Sequence, residues 1–367
     1  MGRQPQVESD GELENAGLES TDNLADADVA QLARHFMNGN ERLAKDLDSL
    51  GACDTSYGIE NFARFRVNIF KQNGNHAIVM RKLSSEIPTL AKLGLPPIFT
   101  EIIKEKTGIV FVTGATGSGK TTTLAAMLNE LNEKSKIHVV TLEDPIEFLH
   151  SHKKAVFSQR ELGKDFPTFA SGLRAALRQA PKAILVGEIR DRETMEIALT
   201  AAETGHVVYS TLHTINAGQT INRILGMFSN EEQQAVRERL AETLRFIISQ
   251  RLVRKIGGGR LLVSEIMGNS LRTKEALLYG ENEERTFQGI IEAAVTSGWH
   301  SFDQSLLKAY ENDLIDEETV MISSTYKNKM RRDLDMAKKL KGVVDKNAPS
   351  GMRLDVVLPP AAKVSAR

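Results

Sequence analysis

The chain has 367 residues, of which 41% are apolar and 26% are charged, a balance typical of a folded globular protein long enough for two domains. Its 47 basic and 48 acidic residues give a net charge of −1, so the whole chain supplies no field that favours nucleic acid or an anionic membrane. The single cysteine, Cys53, excludes an intramolecular disulfide framework and a zinc site made of four thiolates.

Residues 1–83 predict a small α+β domain. Its first 28 residues are acidic and poor in large apolar side chains, which indicates an exposed arm. A helical pattern follows at residues 28–43, and residues 62–70 alternate apolar and basic side chains as a strand does. Residues 76–83 are its expected partner, because Asn73-Gly74 between them favours a tight hairpin turn.

Residues 84–97 contain several prolines and a glycine, and we interpret them as an interdomain linker. Short apolar runs then alternate with helical segments through residues 98–325, as in a parallel sheet covered by helices. The runs are GIVFVT, IHVVTL, KAILVGE, VVYSTL and LLVSEI. The sequence therefore predicts an α/β domain, followed by a basic, proline-containing tail at residues 326–367 that begins as a frayed helix.

Two of the intervening segments have the spacing of amphipathic helices. The first is FASGLRAALRQAP. The second is EEQQAVRERLAETLRFIISQRL, where apolar residues recur every fourth position at Val236, Leu240, Leu244 and Ile248. We expect both segments to be helical throughout.

The strongest motif is GATGSGKT, which directly follows the apolar strand at residues 109–112 and precedes a helix. This spacing is that of a phosphate-binding loop, whose backbone N–H groups surround the phosphates of a nucleotide. The alternative is an ordinary glycine-rich turn. Lys120 is predicted to neutralise the terminal phosphates and Thr121 to hold Mg²⁺. The candidate ATP-binding residues are Gly114, Ala115, Thr116, Gly117, Ser118, Gly119, Lys120, Thr121 and Thr122.

Acidic residues follow two of the predicted strands, at the edge where α/β proteins place their ligands. Glu188 comes directly after AILVG and is our candidate for the base that activates water. Glu143, Asp144 and Glu147 lie in TLEDPIE. We expect one of these three to position water or metal, with Glu143 and Asp144 as candidate Mg²⁺ ligands. A carboxylate of this kind taken alone is more often a solvated loop residue or a helix cap, and the shared position at strand ends is what favours a functional role.

Three further side chains are ambiguous on sequence alone. His213 ends the fourth apolar run, where its imidazole could donate to a terminal phosphate or have a purely structural role. Arg66 and Arg81 belong to the N-terminal domain. They are either solvent-facing residues of a hairpin or arginines that reach a nucleotide bound between domains or subunits.

The motifs occur in a fixed order: GATGSGKTTTLAAMLNELN, TLEDPIEFLH, the Gln159-Arg160-Glu161 step, LRAALRQAPKAILVGEIRDRETMEIALTAAETGHVVYSTLHT and ISQRLV. The series closely resembles the type IV pilus retraction ATPases of the PilT/PilU type, in the secretion-ATPase superfamily. The resemblance implies a RecA-like P-loop ATPase core with a smaller PAS-like N-terminal domain. It makes Glu188 the Walker B glutamate and places ATP and Mg²⁺ at the junction of neighbouring subunits. It also implies an acidic box (Glu143, Asp144, Glu147), a histidine-box residue (His213) and nucleotide-directed arginines (Arg66, Arg81).

The same resemblance implies a hexameric motor that powers pilus retraction and twitching motility. Such a motor acts on the platform protein of the inner membrane, at whose cytoplasmic face it is peripherally bound, and a paralogous retraction or assembly ATPase is a candidate partner. No apolar stretch approaches 18 residues and the N-terminus is acidic, so we expect a cytoplasmic protein.

Two alternatives remain open at this stage. The chain could be a weakly active accessory paralogue that acts as an adaptor, because residues 270–282 depart from the family's C-terminal motif and the first domain is short. It could also be a related secretion or assembly ATPase, although those usually carry a four-cysteine zinc element. No nucleic-acid partner is expected, because the core has no distinct segment that interleaves basic and aromatic residues.

Overall fold

The computed structural model describes residues 4–9, 12–17, 23–60, 62–83 and 86–341. Residues 84–85 of the predicted linker and residues 342–367 of the predicted tail lie outside this range. Across the described residues no helix combines the length and apolar character needed to cross a bilayer.

The N-terminal part contains a three-stranded antiparallel sheet with two helices packed on it. Asn73 and Gly74 have φ values of 48° and 80°, the left-handed conformation that a tight hairpin needs, so the predicted turn is confirmed. Buried apolar residues from helix and sheet, among them Leu47, Val67 and Ile69, form its own small core. Its elements are α1 (Asp26–Met37), α2 (Glu41–Ser49), β3 (Ala52–Ile59), β4 (Ala63–Gln72) and β5 (Asn75–Leu83).

The predicted acidic arm contains more regular structure than its composition indicates. Strands β1 (Gln6–Ser9) and β2 (Glu12–Asn15) pair antiparallel. Val7 and Leu13 on these strands are more than half exposed. The two strands are therefore held together by backbone hydrogen bonds rather than by buried side chains. For this reason the sequence has no apolar pattern that would have predicted them.

The larger part is a seven-stranded sheet in the order β12-β11-β6-β10-β9-β7-β8. All neighbours are parallel except β11 and β12. Its central strands are buried on both faces, as their continuous apolar runs require. The predicted α/β class with a RecA-like core is thus confirmed. The strands are β6 (Gly108–Thr113), β7 (His138–Glu143), β8 (Val156–Glu161), β9 (Ala183–Val186), β10 (Val207–Leu212), β11 (Leu244–Arg254) and β12 (Arg260–Gly268).

Helices cover both faces of this sheet. They are α3 (Ile98–Ile102), α4 (Lys120–Lys134), α5 (Phe169–Ala176), α6 (Arg192–Glu203), α7 (Ala217–Leu225), α8 (Gln233–Thr243), α9 (Leu271–Tyr279) and α10 (Phe287–Ala293). Short 3₁₀ turns span Leu177–Gln179 and Val295–Ser297. The predicted helix FASGLRAALRQAP is confirmed as α5 and its 3₁₀ extension.

The second predicted helix is wrong in its C-terminal half. Helix α8 ends at Thr243, and Leu244 begins strand β11. A spacing of four residues is compatible with both a helix turn and two strand repeats, so Leu244 and Ile248 stay buried in either structure. The four consecutive residues 247–250 are all buried, which a single helical stripe does not explain and pairing of β11 with β6 and β12 does.

The helix predicted after residue 326 is present, but it is packed against the core rather than frayed. Helix α13 (Lys327–Leu340) packs against α11 (Phe302–Glu311) and α12 (Glu317–Ser323). Its Met330 and Leu334 are 1% exposed in a cluster with Phe302 and Val320. The basic residues that indicated a solvated tail include ion-pair donors, such as Lys329 to Glu292 and Lys338 to Glu317. The packed chain therefore extends at least to residue 341.

Candidate active site

The loop between β6 and α4 has the conformation of a phosphate-binding loop. Gly114 has a φ of 146°, and a Cβ there would lie 2.5 Å from Ser118 Oγ, so only glycine fits. Gly119 also has a positive φ and precedes the first residue of α4. The first N–H groups of that helix therefore point into the loop, where an anion would satisfy them.

Lys120 is the cation of this loop and is almost completely buried. Its Nζ donates hydrogen bonds to the carbonyl oxygens of Gly114 at 2.8 Å and Ala115 at 3.0 Å. Burial lowers the pKa of the ammonium, and the negative charges of Glu188 and Glu147 oppose that shift. A phosphate would add the anionic partner that the two carbonyls cannot supply.

Glu143 ends strand β7 with its side chain buried beside the cleft. Its Oε1 accepts hydrogen bonds from Thr141 Oγ1 at 2.6 Å and Gln159 Nε2 at 3.2 Å. Burial nevertheless raises the pKa of this carboxyl to about 7. Glu143 can therefore hold a proton at neutral pH, which a fully solvated carboxylate cannot do.

Glu188 follows strand β9, and its side chain is 14% exposed. Its Oε1 lies 2.6 Å from an Arg190 guanidinium nitrogen, and its Oε2 lies 3.4 Å from His213 Nε2. Oε2 is buried, and no group in the described part of the chain donates a hydrogen bond to it. Because a buried carboxylate oxygen normally has a donor, this atom is free to accept a proton or orient a water molecule.

Arg66 and Arg81 line the same cleft as the phosphate-binding loop. They are opposite each other in the β4–β5 ladder, so their side chains lie on the same face of the N-terminal sheet. Arg66 Nε also lies 3.6 Å from Asp54 Oδ1. Of the two positions that the sequence left open for these arginines, solvent-facing or directed at a nucleotide site, the structure brings them to the same cleft as the phosphate-binding loop.

The cleft has a volume of about 540 Å³, within the usual range for small-molecule sites. It brings together most of the residues that the sequence singled out: Arg66, Arg81, Thr116, Gly117, Gly119, Lys120, Thr121, Thr122, Glu143, Asp144, Glu147, Glu188 and His213. Gly114, Ala115 and Ser118 belong to the loop but do not line the cleft. Apolar side chains of α4, among them Leu124 and Leu128, form another wall.

The side chains at this cleft fit a magnesium ion only together with phosphate oxygens. Within the described ranges, no group of three or more His, Cys, Asp or Glu residues could hold a metal ion. Magnesium at nucleotide sites usually takes one or two protein oxygens and completes its shell with phosphates and water. The Thr121 hydroxyl and the Asp144 carboxylate, both lining the cleft, supply oxygens of the required kind.

Sequence reasoning missed three side chains that act on the predicted carboxylates, and one of them is Thr141, which donates to Glu143. Arg190 pairs with Glu188. It lies only two positions after Glu188 in the sequence, and that spacing of opposite charges could have indicated the pair. Gln159 donates to Glu143 from β8, a strand whose mixed polar composition gave no apolar run. The structure was needed to show that β8 lies beside β7.

The fold and the cleft together define a P-loop ATPase on a parallel sheet. Residues 55–279 match the family described as type II/IV secretion system protein, and the chain belongs to that family.

Similar proteins narrow this assignment to the PilT type and confirm that the chain is an ATPase. The type IV pilus retraction ATPase PilT of Pseudomonas aeruginosa is 41% identical over 317 residues, which are 86% of this chain and 90% of that protein. A twitching motility protein of Neisseria gonorrhoeae is 39% identical over 86% of this chain and 82% of its own length. A crystal structure of the pilus retraction motor PilT with bound ADP has a TM-score of 0.80 at 40% identity, covering 90% of this chain and 93% of that one.

A buried carboxyl lies behind the His213 segment. Glu265 on β12 is 3% exposed, and its Oε1 accepts a hydrogen bond from Ala217 N, the first residue of α7, at 2.8 Å. Burial raises the pKa of Glu265 to about 7; the hydrogen bond from Ala217 and the charge of Arg251 oppose this shift, while Asp303 adds to it. The residue fixes the start of the helix that follows His213.

Replacing Lys120 with alanine is expected to weaken nucleotide binding about 30-fold, because charge-assisted hydrogen bonds to phosphate contribute about 2 kcal/mol. Isothermal titration with a non-hydrolysable ATP analogue measures the change. Lys134→Ala is the matched control, since Lys134 lies at the exposed far end of the same helix. Equal affinities of Lys120→Ala and the wild type would contradict the loop assignment.

Replacing Glu265 with glutamine is expected to remove one pH-dependent contribution to stability. The pKa of Glu265 is raised in the folded protein, so the native state keeps a proton that the unfolded chain loses above about pH 4.5. The free energy of unfolding of the wild type therefore falls between about pH 4.5 and about pH 7. The unfolding free energy of Glu265→Gln relative to wild type should rise by on the order of 3 kcal/mol between pH 4 and 8. Denaturant titrations measure it. Glu238→Gln, at an exposed position of α8, is the matched control. A flat difference for Glu265→Gln would refute the assignment.

Proposed function

We propose that this protein hydrolyses ATP to ADP and phosphate as a hexameric molecular motor that powers type IV pilus retraction. The observation that carries the proposal is the shared cleft. It places the phosphate-binding loop, the unsatisfied oxygen of Glu188 and two arginines of the N-terminal domain around one volume. Phosphoryl transfer depends mainly on positioning and on charge stabilisation, and this cleft offers both.

Each charged side chain has a proposed role at the triphosphate. Lys120, Arg66 and Arg81 neutralise the β- and γ-phosphates from two sides of the cleft, which lowers the cost of charge that develops during transfer. Thr121, with Asp144 or Glu143, would hold Mg²⁺, and the ion would supply further neutralisation of the phosphate oxygens. Glu143 is the weaker candidate ligand because its Oε1 already accepts two hydrogen bonds.

Glu188 is the proposed catalytic base, with Glu147 as a second carboxylate that helps position water. Its free Oε2 can accept a proton from the attacking water, while Arg190 holds Oε1 and so fixes the orientation of the carboxylate. His213 is half exposed at 3.4 Å from this oxygen. It is therefore placed to donate to a γ-phosphate and to respond when that phosphate leaves.

The cellular part of the proposal rests on the named relatives. PilT of Pseudomonas aeruginosa is a pilus retraction ATPase, and this chain covers 90% of its length. We infer that this chain likewise forms a homohexamer bound to the pilus platform protein at the cytoplasmic face of the inner membrane. A paralogous ATPase is a further proposed partner.

Replacing Glu188 with glutamine is expected to lower kcat for ATP hydrolysis at least about 100-fold while analogue binding persists, because the loss of a general base removes a transition-state interaction only. A steady-state phosphate-release assay measures it. Glu193→Gln is the control, since Glu193 is an exposed carboxylate on α6 that pairs with Arg174. A wild type without turnover would favour the adaptor alternative, and an active Glu188→Gln would exclude Glu188 as the base.

In cells, expression of this chain is expected to restore pilus retraction to a strain that lacks its own retraction ATPase, and the Glu188→Gln variant is expected not to. Fluorescent labelling of pili and direct imaging of their shortening provides the measurement. Restored pilus extension without shortening would instead point to an assembly ATPase.

A further inference from the structure

Ser56 on β3 connects the N-terminal sheet to the ATPase core by hydrogen bonds to two core residues. Ser56 Oγ donates to the Glu161 carboxylate, 3.0 Å from Oε1 and 3.1 Å from Oε2. It also accepts a hydrogen bond from Lys164 Nζ at 2.7 Å. The junction thus includes a small polar network centred on Ser56 and Glu161.

Glu161 is the centre of this network and is 5% exposed. Lys164 Nζ lies 2.6 Å from its Oε1. Its Oε2 accepts a hydrogen bond from Ile146 N at 3.2 Å. Ile146 lies between Asp144 and Glu147 in the acidic box, so the same carboxylate holds the loop that lines one wall of the nucleotide cleft.

Ser56 is connected in the other direction to the arginines of the cleft. In the β3–β4 ladder it is directly opposite Arg66, and in the β4–β5 ladder Arg66 is directly opposite Arg81. Opposite residues in neighbouring strands have side chains on the same face, with Cβ atoms about 5 Å apart. Ser56, Arg66 and Arg81 therefore form one row, of which the first member binds the core and the other two line the cleft.

We propose that Glu161, through Ser56 and Lys164, is a positioning residue that sets the distance between the N-terminal arginines and the phosphate-binding loop. The carboxylate holds the acidic-box loop and the arginine-bearing sheet at the same time, so a shift of either element changes the geometry of the other. This inference rests on the proposed role of Arg66 at the nucleotide. Glu161 thereby affects the position of Arg66 without itself contacting the nucleotide.

A burial role alone would also place partners around Glu161, because a buried carboxylate needs hydrogen bonds. The two explanations differ in one measurable property. If Glu161 and Ser56 act on turnover by positioning Arg66, their removal matters only while Arg66 is present. If they serve stability alone, their removal has the same effect on turnover with or without Arg66.

A double-mutant cycle between Ser56 and Arg66 tests the proposal. Ser56→Ala removes one hydroxyl from a half-buried strand position and should lower kcat/KM for ATP about fivefold, the size expected for one lost hydrogen bond. In the Arg66→Ala background the same change should alter kcat/KM less than about twofold. Affinity for a non-hydrolysable ATP analogue is measured in parallel on all four proteins, because it reports the coupling without turnover.

Two further variants test whether the loss of kcat/KM comes from this network: one removes another of its members, and the other is a control outside it. Lys164→Ala should reproduce the loss caused by Ser56→Ala, since Lys164 contacts both Ser56 and Glu161 and its side chain is 42% exposed. Ser49→Ala is the matched control, because its hydroxyl donates to Lys45 O within helix α2, and it should leave kcat/KM unchanged.

The proposal is overturned if Ser56→Ala leaves both kcat/KM and analogue affinity at wild-type values, or if it lowers them equally in the presence and absence of Arg66. It is supported if its effect disappears with Arg66. A wild-type protein without ATP turnover would instead count against the proposed ATPase mechanism. The analogue affinities of the four proteins would then still test the positioning role.

Discussion

The buried ammonium group of Lys120 sets the electrostatics of the whole cleft. It lies at the start of α4, and within the described residues its hydrogen bonds go to two backbone carbonyls. Neutral carbonyls offset part of the cost of burying a charge, and a formal anion offsets more. Glu188 and Glu147 provide negative charge across the cleft, and both favour the charged lysine. The protein thus holds a cation whose preferred partner is a phosphate.

The parallel sheet supplies the rest of the site through its topology. Strands β6, β7, β9 and β10 run in the same direction, so the residues after each of them meet at one edge. This places the phosphate-binding loop, the acidic box, Glu188 and His213 together although they span 100 residues of sequence. The N-terminal sheet then covers this edge with Arg66 and Arg81. The N-terminal sheet therefore both forms one wall of the cleft and adds positive charge to it.

Much of the site could be predicted from sequence because its parts are local. The GATGSGKT loop needs glycines at fixed positions, and Gly114 shows the steric reason in its contact with Ser118. The position of the carboxylates that come after apolar strands can be predicted because the carboxyl ends of parallel strands meet at one edge of the sheet. Strand β11 could not be predicted from spacing, because a four-residue repeat suits both a helix and a strand.

Helix α13 and the Glu161 network depend on contacts between distant segments, which a charge pattern does not contain. The basic residues of α13 look solvated in sequence, and their acidic partners lie on other helices. Glu161 and Ser56 are 105 positions apart. Such features become visible only when packing brings the segments together.

The central claim is that a triphosphate replaces the carbonyls as the partner of Lys120, with Glu188 beside its terminal phosphate. A crystal structure of the chain with Mg²⁺ and a non-hydrolysable ATP analogue tests this directly. We expect Lys120 Nζ about 3 Å from a terminal phosphate oxygen and the Glu188 carboxylate within one water molecule of the γ-phosphorus. An analogue bound elsewhere, or a Lys120 still bonded only to Gly114 and Ala115 in the occupied site, would contradict the account.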